Sequence, residues 1–173
     1  MFVSFLHFLS ELTDIPIWGL IIALIVFSVI TVYILLDNSI NKKTQLLSIA
    51  YLAGYVVLIL CATVFCRPTA HRLRYNFTPF WSYFPDNDGT THYYEIVLNV
   101  LLFMPVGFFC ALSLGSIKLW HVLLGTMAFS LFIEVLQLLL QKGVSEFDDV
   151  FHNTLGCMMG FLCMKLLLLK KIS

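Results

Sequence analysis

The stretch EIVLNVLLFMPVGFFCALSLGSI, residues 95–117, is apolar over almost its whole length and opens with a carboxylate and an amide, Glu95 and Asn99. An α-helix of about 20 apolar residues spans the hydrocarbon core of a bilayer. A charged side chain inside such a span costs about 2.5–3.5 kcal/mol on insertion scales, and such groups therefore face a protein interior or a wet cavity. The stretch predicts a membrane helix with a polar site near one end.

Four more stretches of similar length surround it, and the five together cover residues 15–36, 44–66, 96–117, 119–141 and 150–169. The chain is 60% hydrophobic and only 12% charged, whereas soluble domains carry about 25% charged residues. We expect an all-α integral membrane protein in which residues 1–173 form one compact bundle of about five transmembrane helices. Membrane lipids are expected partners, and the zero net charge offers no field for nucleic acid.

Polar side chains recur on three of these spans, at spacings that put each pair on one helix face. If the spans alternate in direction, all three pairs lie near the same membrane face and form one polar pocket. Asp148 stands immediately before the last pair. The pairs are Glu95 with Asn99, Glu134 with Gln137, and Asp149 with Asn153.

Less specific explanations compete with this pocket. The amides of Asn99, Gln137 and Asn153 can be hydrogen-bond glue between helices, and an aspartate at a helix start can simply complement the helix dipole. His152 among carboxylates is not a specific metal signal, and we predict neither metal nor cofactor. The small-xxx-small pair of Gly156 and Gly160 favours close packing within the bundle over dimerisation, which leaves the oligomeric state open.

The long connection 67–94 holds all three arginines of the chain and many aromatic residues. Trp and Tyr are typical of the membrane interface, so we expect the connection to lie there. One or two of these arginines are predicted to pair with the carboxylates or to hold a phosphate bidentately, and Arg72 and Arg74 are the candidate ligand-binding residues among them. The alternative is that the arginines only snorkel to the surface.

The distribution of basic residues predicts the orientation. Lys42, Lys43, Lys118, Lys170 and Lys171 fall on one side of a five-span topology. Because cytoplasmic loops are enriched in Lys and Arg, we expect the N-terminus outside, the C-terminus inside, and the polar pocket at the outer face of the membrane.

Four segments in order, RYNFTPFWSY (74–83), EIVLNVLLFMPVGFF (95–109), FIEVLQ (132–137) and FDDVFHNTLGCMMG (147–160), resemble the successive motifs of the VanZ-like family, small bacterial membrane proteins found mostly in Gram-positive organisms. The resemblance covers about residues 67–161 and includes Asn76, which it adds to the candidate ligand-binding residues. Residues 1–66 share only two spans with the family.

The resemblance implies a link to low-level resistance against the glycopeptide antibiotic teicoplanin, the phenotype of the founding member. It also shows one departure. The family often has an Arg and an aspartate shortly before the last acidic pair, where this chain has Gly143 and Glu146. If that Arg binds a ligand in relatives, Lys142 would have to substitute, without the bidentate fork.

Three functions remain open at this point. The first is binding of an amphipathic cell-envelope ligand, either a lipoglycopeptide or a lipid-linked cell-wall precursor. The second is an enzyme acting on a lipid-linked headgroup, with Glu134 as general acid or base and Asp149 as its charged partner. The third is a structural or accessory protein whose polar residues only assemble the bundle.

Overall fold

A computed structural model describes residues 42–67, 69, 72–85, 92–114 and 116–172, together with the isolated positions 26, 29 and 33. The predicted first span, 15–36, otherwise lies outside the described residues. Within them the elements are α1 (Lys42–Leu60) with a π-helical turn (Cys61–Phe65), β1 (Tyr75–Asn76), a 3-10 turn (Trp81–Tyr83), α2 (Tyr93–Ser113), α3 (Leu119–Leu140), β2 (Ser145–Glu146) and α4 (Phe147–Ile172).

Four helical segments of the described residues are long and apolar enough to cross a membrane: Lys42–Phe65, Tyr93–Ser113, Leu119–Leu140 and Phe147–Leu169. They agree within a few residues with the four later spans predicted from the sequence. The prediction of an all-α, multi-pass membrane protein is thereby confirmed.

Helices α2 and α4 pack most closely, because glycines remove the side chains between them. A Cβ at Gly107 of α2 would collide with the carbonyl oxygen of Cys157. A Cβ at Gly156 or Gly160 of α4 would collide with the carbonyl oxygens of Val100 and Met104. The small-xxx-small pair therefore acts within the bundle, as predicted.

Polar contacts tie the four helices together at one end of the bundle. The amide Nδ2 of Asn99, near the start of α2, donates to Asp149 Oδ1 of α4 at 2.6 Å. Gln137 Nε2, near the end of α3, donates to the carbonyl oxygen of Thr63 at 2.9 Å. The end of α1, the start of α2, the end of α3 and the start of α4 therefore meet at one membrane face.

The described parts of the connection 67–94 lie over this face, where they pair with the turn between α3 and α4. Strand β1 pairs in parallel with β2, Tyr75 opposite Ser145 and Asn76 opposite Glu146. Thr69 forms an antiparallel bridge with Lys142. These pairings bring the described parts of the connection against the polar end of the bundle.

Candidate functional site

Four carboxyl groups from four elements meet at the polar end of the bundle, and we call them the acidic cluster: Glu95 of α2, Glu134 of α3, Glu146 of β2 and Asp149 of α4. Asp149 interacts electrostatically with each of the other three. Glu134 is only 4% exposed, and its Oε2 accepts a hydrogen bond from the backbone N–H of Glu146 at 2.8 Å. The helix faces predicted from the sequence do converge, and the turn before α4 adds Glu146.

Glu146 lies outside the membrane-spanning segments, and its protonation is set by its neighbours. The pKa of Glu146 is raised from 4.5 to about 8, chiefly by burial and then by the negative charges of Asp149, Glu95 and Asp148, while the positive charge of Arg67 lowers it. A carboxyl group with such a pKa holds its proton at neutral pH and can donate a hydrogen bond.

An open cleft of about 690 Å³ lies directly over the acidic cluster. Glu95 and Glu146 belong to both the cleft and the cluster, so the cleft reaches down to the buried carboxyl groups. Rings and polar groups alternate in its wall, which suits an amphipathic or sugar-like ligand. The lining residues are Leu73, Arg74, Tyr75, Asn76, Trp81, His92, Glu95, Val144 and Glu146.

The three arginines take different positions. Arg74 lines the cleft, whereas Arg72 is exposed and is not part of the cleft wall. Arg67 is half-buried and interacts electrostatically with Glu134, Glu146 and Asp149. The guanidinium next to the buried carboxyl groups thus comes from Arg67, which was not among the residues predicted to bind a ligand.

The carboxylate of Asp148 accepts hydrogen bonds from the connection 67–94. The backbone N–H groups of Phe80 and Ser82 donate to its carboxylate at 2.6 and 3.1 Å, and Ser82 Oγ donates at 2.6 Å. With 2% exposure and three donors around it, Asp148 holds the 3-10 turn, and Phe80 adopts φ 61° at its start. This geometry presents Asp148 as an anchor for the cleft wall.

Gln137 and Lys142 hold the end of α1. A π-helical turn leaves backbone carbonyls without their regular i→i−4 partners. Gln137 Nε2 donates a hydrogen bond to the carbonyl oxygen of Thr63 at 2.9 Å, and Lys142 Nζ donates one to the carbonyl oxygen of Phe65 at 2.8 Å. The chain leaves this clamped turn directly into Arg67.

A line of buried polar pairs continues from the cluster into the bundle between α3 and α4. One turn below Glu134 and Asp149, Asn153 Nδ2 donates to Ser130 Oγ at 2.8 Å. One turn deeper, Thr126 Oγ1 donates to Cys157 Sγ at 3.0 Å. Asn153 therefore joins α4 to α3 by a hydrogen bond. This contact fits the less specific explanation given above, in which the amide only links helices.

His152 forms a hydrogen bond through Nε2 with Tyr83 Oη at 2.9 Å. Within the described ranges, no three His, Cys, Asp or Glu side chains are arranged to hold a metal ion. His152 therefore joins α4 to the 3-10 turn, next to the contact made by Asp148.

The sequence prediction did not include Glu146 or the cleft residues Trp81 and His92 in the site, and it left open which of the three arginines lies there. Glu146 carried a signal, because it lies three residues before Asp149 in a short polar connection. Arg67 directly follows an apolar span, a place where snorkelling is the ordinary outcome. No local pattern separates it from Arg72 and Arg74.

These features define a multi-pass helical membrane protein with carboxyl groups and an arginine gathered under an open cleft at one membrane face. The VanZ/LLP1 family model matches residues 46–168, and the chain belongs to this family. It is similar to Protein VanZ of Enterococcus faecium, with 27% identity over 128 residues that cover 70% of this chain and 74% of that protein. No solved structure matches the chain.

Proposed function

We propose that this protein binds an amphipathic cell-envelope ligand in the cleft, with the polar head over the acidic cluster and the acyl chain along the exposed helix faces. The observation that carries the proposal is the open cleft of about 690 Å³ whose wall is continuous with buried carboxyl groups. Polar groups that gather at one membrane face and border a cleft are more typical of a binding site than of helix packing alone.

The chemistry of the cleft narrows the ligand. Carboxyl oxygens of Glu95 and Glu146 and the amide of Asn76 supply acceptors, while Trp81 and Tyr75 supply rings. A headgroup rich in N–H and O–H donors complements them, and such groups are abundant in glycopeptides and in lipid-linked cell-wall precursors. The family resemblance directs the choice toward lipoglycopeptides of the teicoplanin type.

The same proposal places the cleft at the outer face of the bacterial cytoplasmic membrane, with the N-terminus outside and the C-terminus inside. The basic residues Lys42, Lys43 and Lys118 belong to the opposite ends of the helices, which favours that side as cytoplasmic. Lipoglycopeptides and wall precursors are both encountered at the outer leaflet.

The test is drug susceptibility in a host that lacks the gene, for teicoplanin against vancomycin, with wild-type protein and Glu134→Gln at matched membrane levels. Glutamine can still accept the hydrogen bond from the backbone N–H of Glu146, so the change removes the ionisable carboxyl group and keeps the shape of the side chain. Asp37→Asn makes the same chemical change in the connection predicted at the other membrane face and serves as the control.

We expect teicoplanin-selective resistance from wild type and Asp37→Asn, and its loss in Glu134→Gln. Equal resistance from wild type and Glu134→Gln would remove the acidic cluster from the function. No resistance from the wild type would separate this chain from the founding member's phenotype.

A second candidate function is an enzyme that modifies a lipid-linked headgroup. The observation in its favour is that Glu134, Glu146 and Asp149 interact with one another in a poorly solvated place beside a guanidinium, as acid–base pairs do in active sites. Glu134 would be the acid or base and Asp149 its charged partner. A lipid extract whose composition changes only when Glu134 is intact would favour this function over binding.

A further inference from the structure

We propose that Arg67 supplies the positive charge beside the buried carboxyl groups of the acidic cluster, and that Gly143 and the clamp formed by Gln137 and Lys142 position it there. The inference deepens the proposed function and rests on it only for the effect on the ligand. Arg67 would act through the carboxyl groups and is therefore a positioning residue.

The first observation is the contact between Arg67 and Gly143. A Cβ at Gly143 would lie 2.5 Å from Arg67 Nη1 and 3.2 Å from Arg67 Cδ. Gly143 also has φ +83°, in the region that L side chains rarely adopt. The guanidinium therefore occupies space that is free only because residue 143 is glycine.

The second observation is the fixed exit of the chain from α1. The two carbonyls at its π-helical turn are held by Gln137 and Lys142, one from the last turns of α3 and one from the residues that follow it. Only Cys66 separates the clamped Phe65 from Arg67. The start of the arginine side chain is thus fixed relative to α3, which also carries Glu134.

The third observation is the charge around the guanidinium. Arg67 interacts with Glu134, Glu146 and Asp149, and its buried Nε has no hydrogen-bond partner among the residues that the structure describes. A cation among several buried carboxyl groups reduces their mutual repulsion, and its removal favours their neutral forms. Glu146 is also faced by Asp148 and Asp149 of α4 and Glu95 of α2, with Arg74 in the same cleft wall.

The experiment measures protonated carboxyl groups without any ligand. The full chain, purified in detergent, is treated with dicyclohexylcarbodiimide, to which a protonated carboxyl group adds as O–H across one N=C bond before the acyl group moves to nitrogen. Peptide mapping by mass spectrometry gives the labelling rate at Glu146 between about pH 6 and pH 10. The variants are Arg67→Gln, Arg67→Lys, Gly143→Ala and the matched control Arg72→Gln, which removes the same charge from the same connection.

Since the pKa of Glu146 is about 8, about a tenth of it is protonated at pH 9 in the wild type. Loss of the Arg67 charge raises the midpoint by about one pH unit, so labelling of Arg67→Gln at pH 9 should be about fivefold faster. The labelling rates of Arg67→Lys and Arg72→Gln should stay within about twofold of the wild-type rate. Arg67→Lys keeps the charge and changes the packing, so it separates the two effects.

Gly143→Ala should also accelerate labelling, because the new methyl group displaces the guanidinium, but it should add nothing in the Arg67→Gln background. Labelling of folded Arg67→Gln at the wild-type rate would overturn the assignment. If Arg67→Gln does not fold, Gly143→Ala decides: unchanged labelling would overturn it, and faster labelling would support it. A shift in labelling without any effect on teicoplanin would keep this inference and reject the proposed function.

Discussion

The stability of the folded protein should fall as the pH rises from about 5 to about 9, and Glu146 should cause a large part of the fall. The pKa of Glu146 is 4.5 when the side chain is free in water and about 8 in the fold, chiefly through burial. Between these values the folded chain retains a proton that the unfolded chain has lost. The unfolded state then binds fewer protons, so stability decreases with rising pH and levels off above about pH 8.

The size of the effect follows from the two pKa values. At about 1.4 kcal/mol per pH unit, the interval from 4.5 to about 8 sets an upper limit of about 5 kcal/mol. For a chain of this length, 1 kcal/mol corresponds to about 2–4 °C in Tm. Because a half-buried group can relax toward solvent, we expect a decrease of about 5–10 °C.

Thermal unfolding in a mild detergent, followed by the fluorescence of the tryptophans, measures this decrease at each pH. Glu146→Gln is neutral at every pH, so its Tm should vary less and should exceed that of wild type at pH 8–9. A wild-type Tm that is constant over this range, or a Glu146→Gln variant with the wild-type slope, would refute the reasoning.

Three further predictions concern the frame around the site. Asp148→Ala leaves the buried donors of Phe80 and Ser82 without an acceptor and should cost about 2–4 kcal/mol, measured by thermal unfolding, with faster proteolysis of the connection 67–94. Asp148→Asn keeps one acceptor oxygen and should cost less than Asp148→Ala. Gly156→Ala drives a methyl group into the carbonyl oxygen of Val100 and should cost about 1–3 kcal/mol. Gly54→Ala, whose new Cβ meets none of the described residues within 4 Å, should be neutral or slightly stabilising. Cys66 is exposed at the cleft end of the bundle, so a membrane-impermeant maleimide should label it in intact cells and should not label Cys66→Ser; labelling only in inverted vesicles would reverse the proposed orientation.

Much of the frame could be read from the sequence because its causes are local. Hydropathy over about 20 residues identifies a span without knowledge of its neighbours. The i,i+3 and i,i+4 spacings then put Glu95, Glu134 and Asp149 on helix faces, and alternation of the spans predicts one common membrane face. Gly156 and Gly160 predicted their own close contact in the same way.

The assignments of individual polar side chains depend on contacts that are distant in sequence. Arg67, Arg72 and Arg74 lie in one connection, and which guanidinium lies beside the acidic cluster depends on contacts of α1 and this connection with α3 and with the turn before α4. Asp148 and Asp149 are neighbours in the sequence. However, the helix turns one toward Ser82 and the other toward Asn99, because adjacent residues lie about 100° apart around the axis.

The cleft and its buried floor are therefore built from different parts of the chain, and this separates two properties of the site. The floor, with Glu134 and Asp149, belongs to helices whose packing is fixed by glycines and by the Asn153–Ser130 pair. The wall, with Arg74, Asn76 and Trp81, belongs to the connection and is held by β1–β2 pairing and by Asp148. Substitutions in the wall should consequently change which ligand is preferred, while substitutions in the floor should abolish function for every ligand.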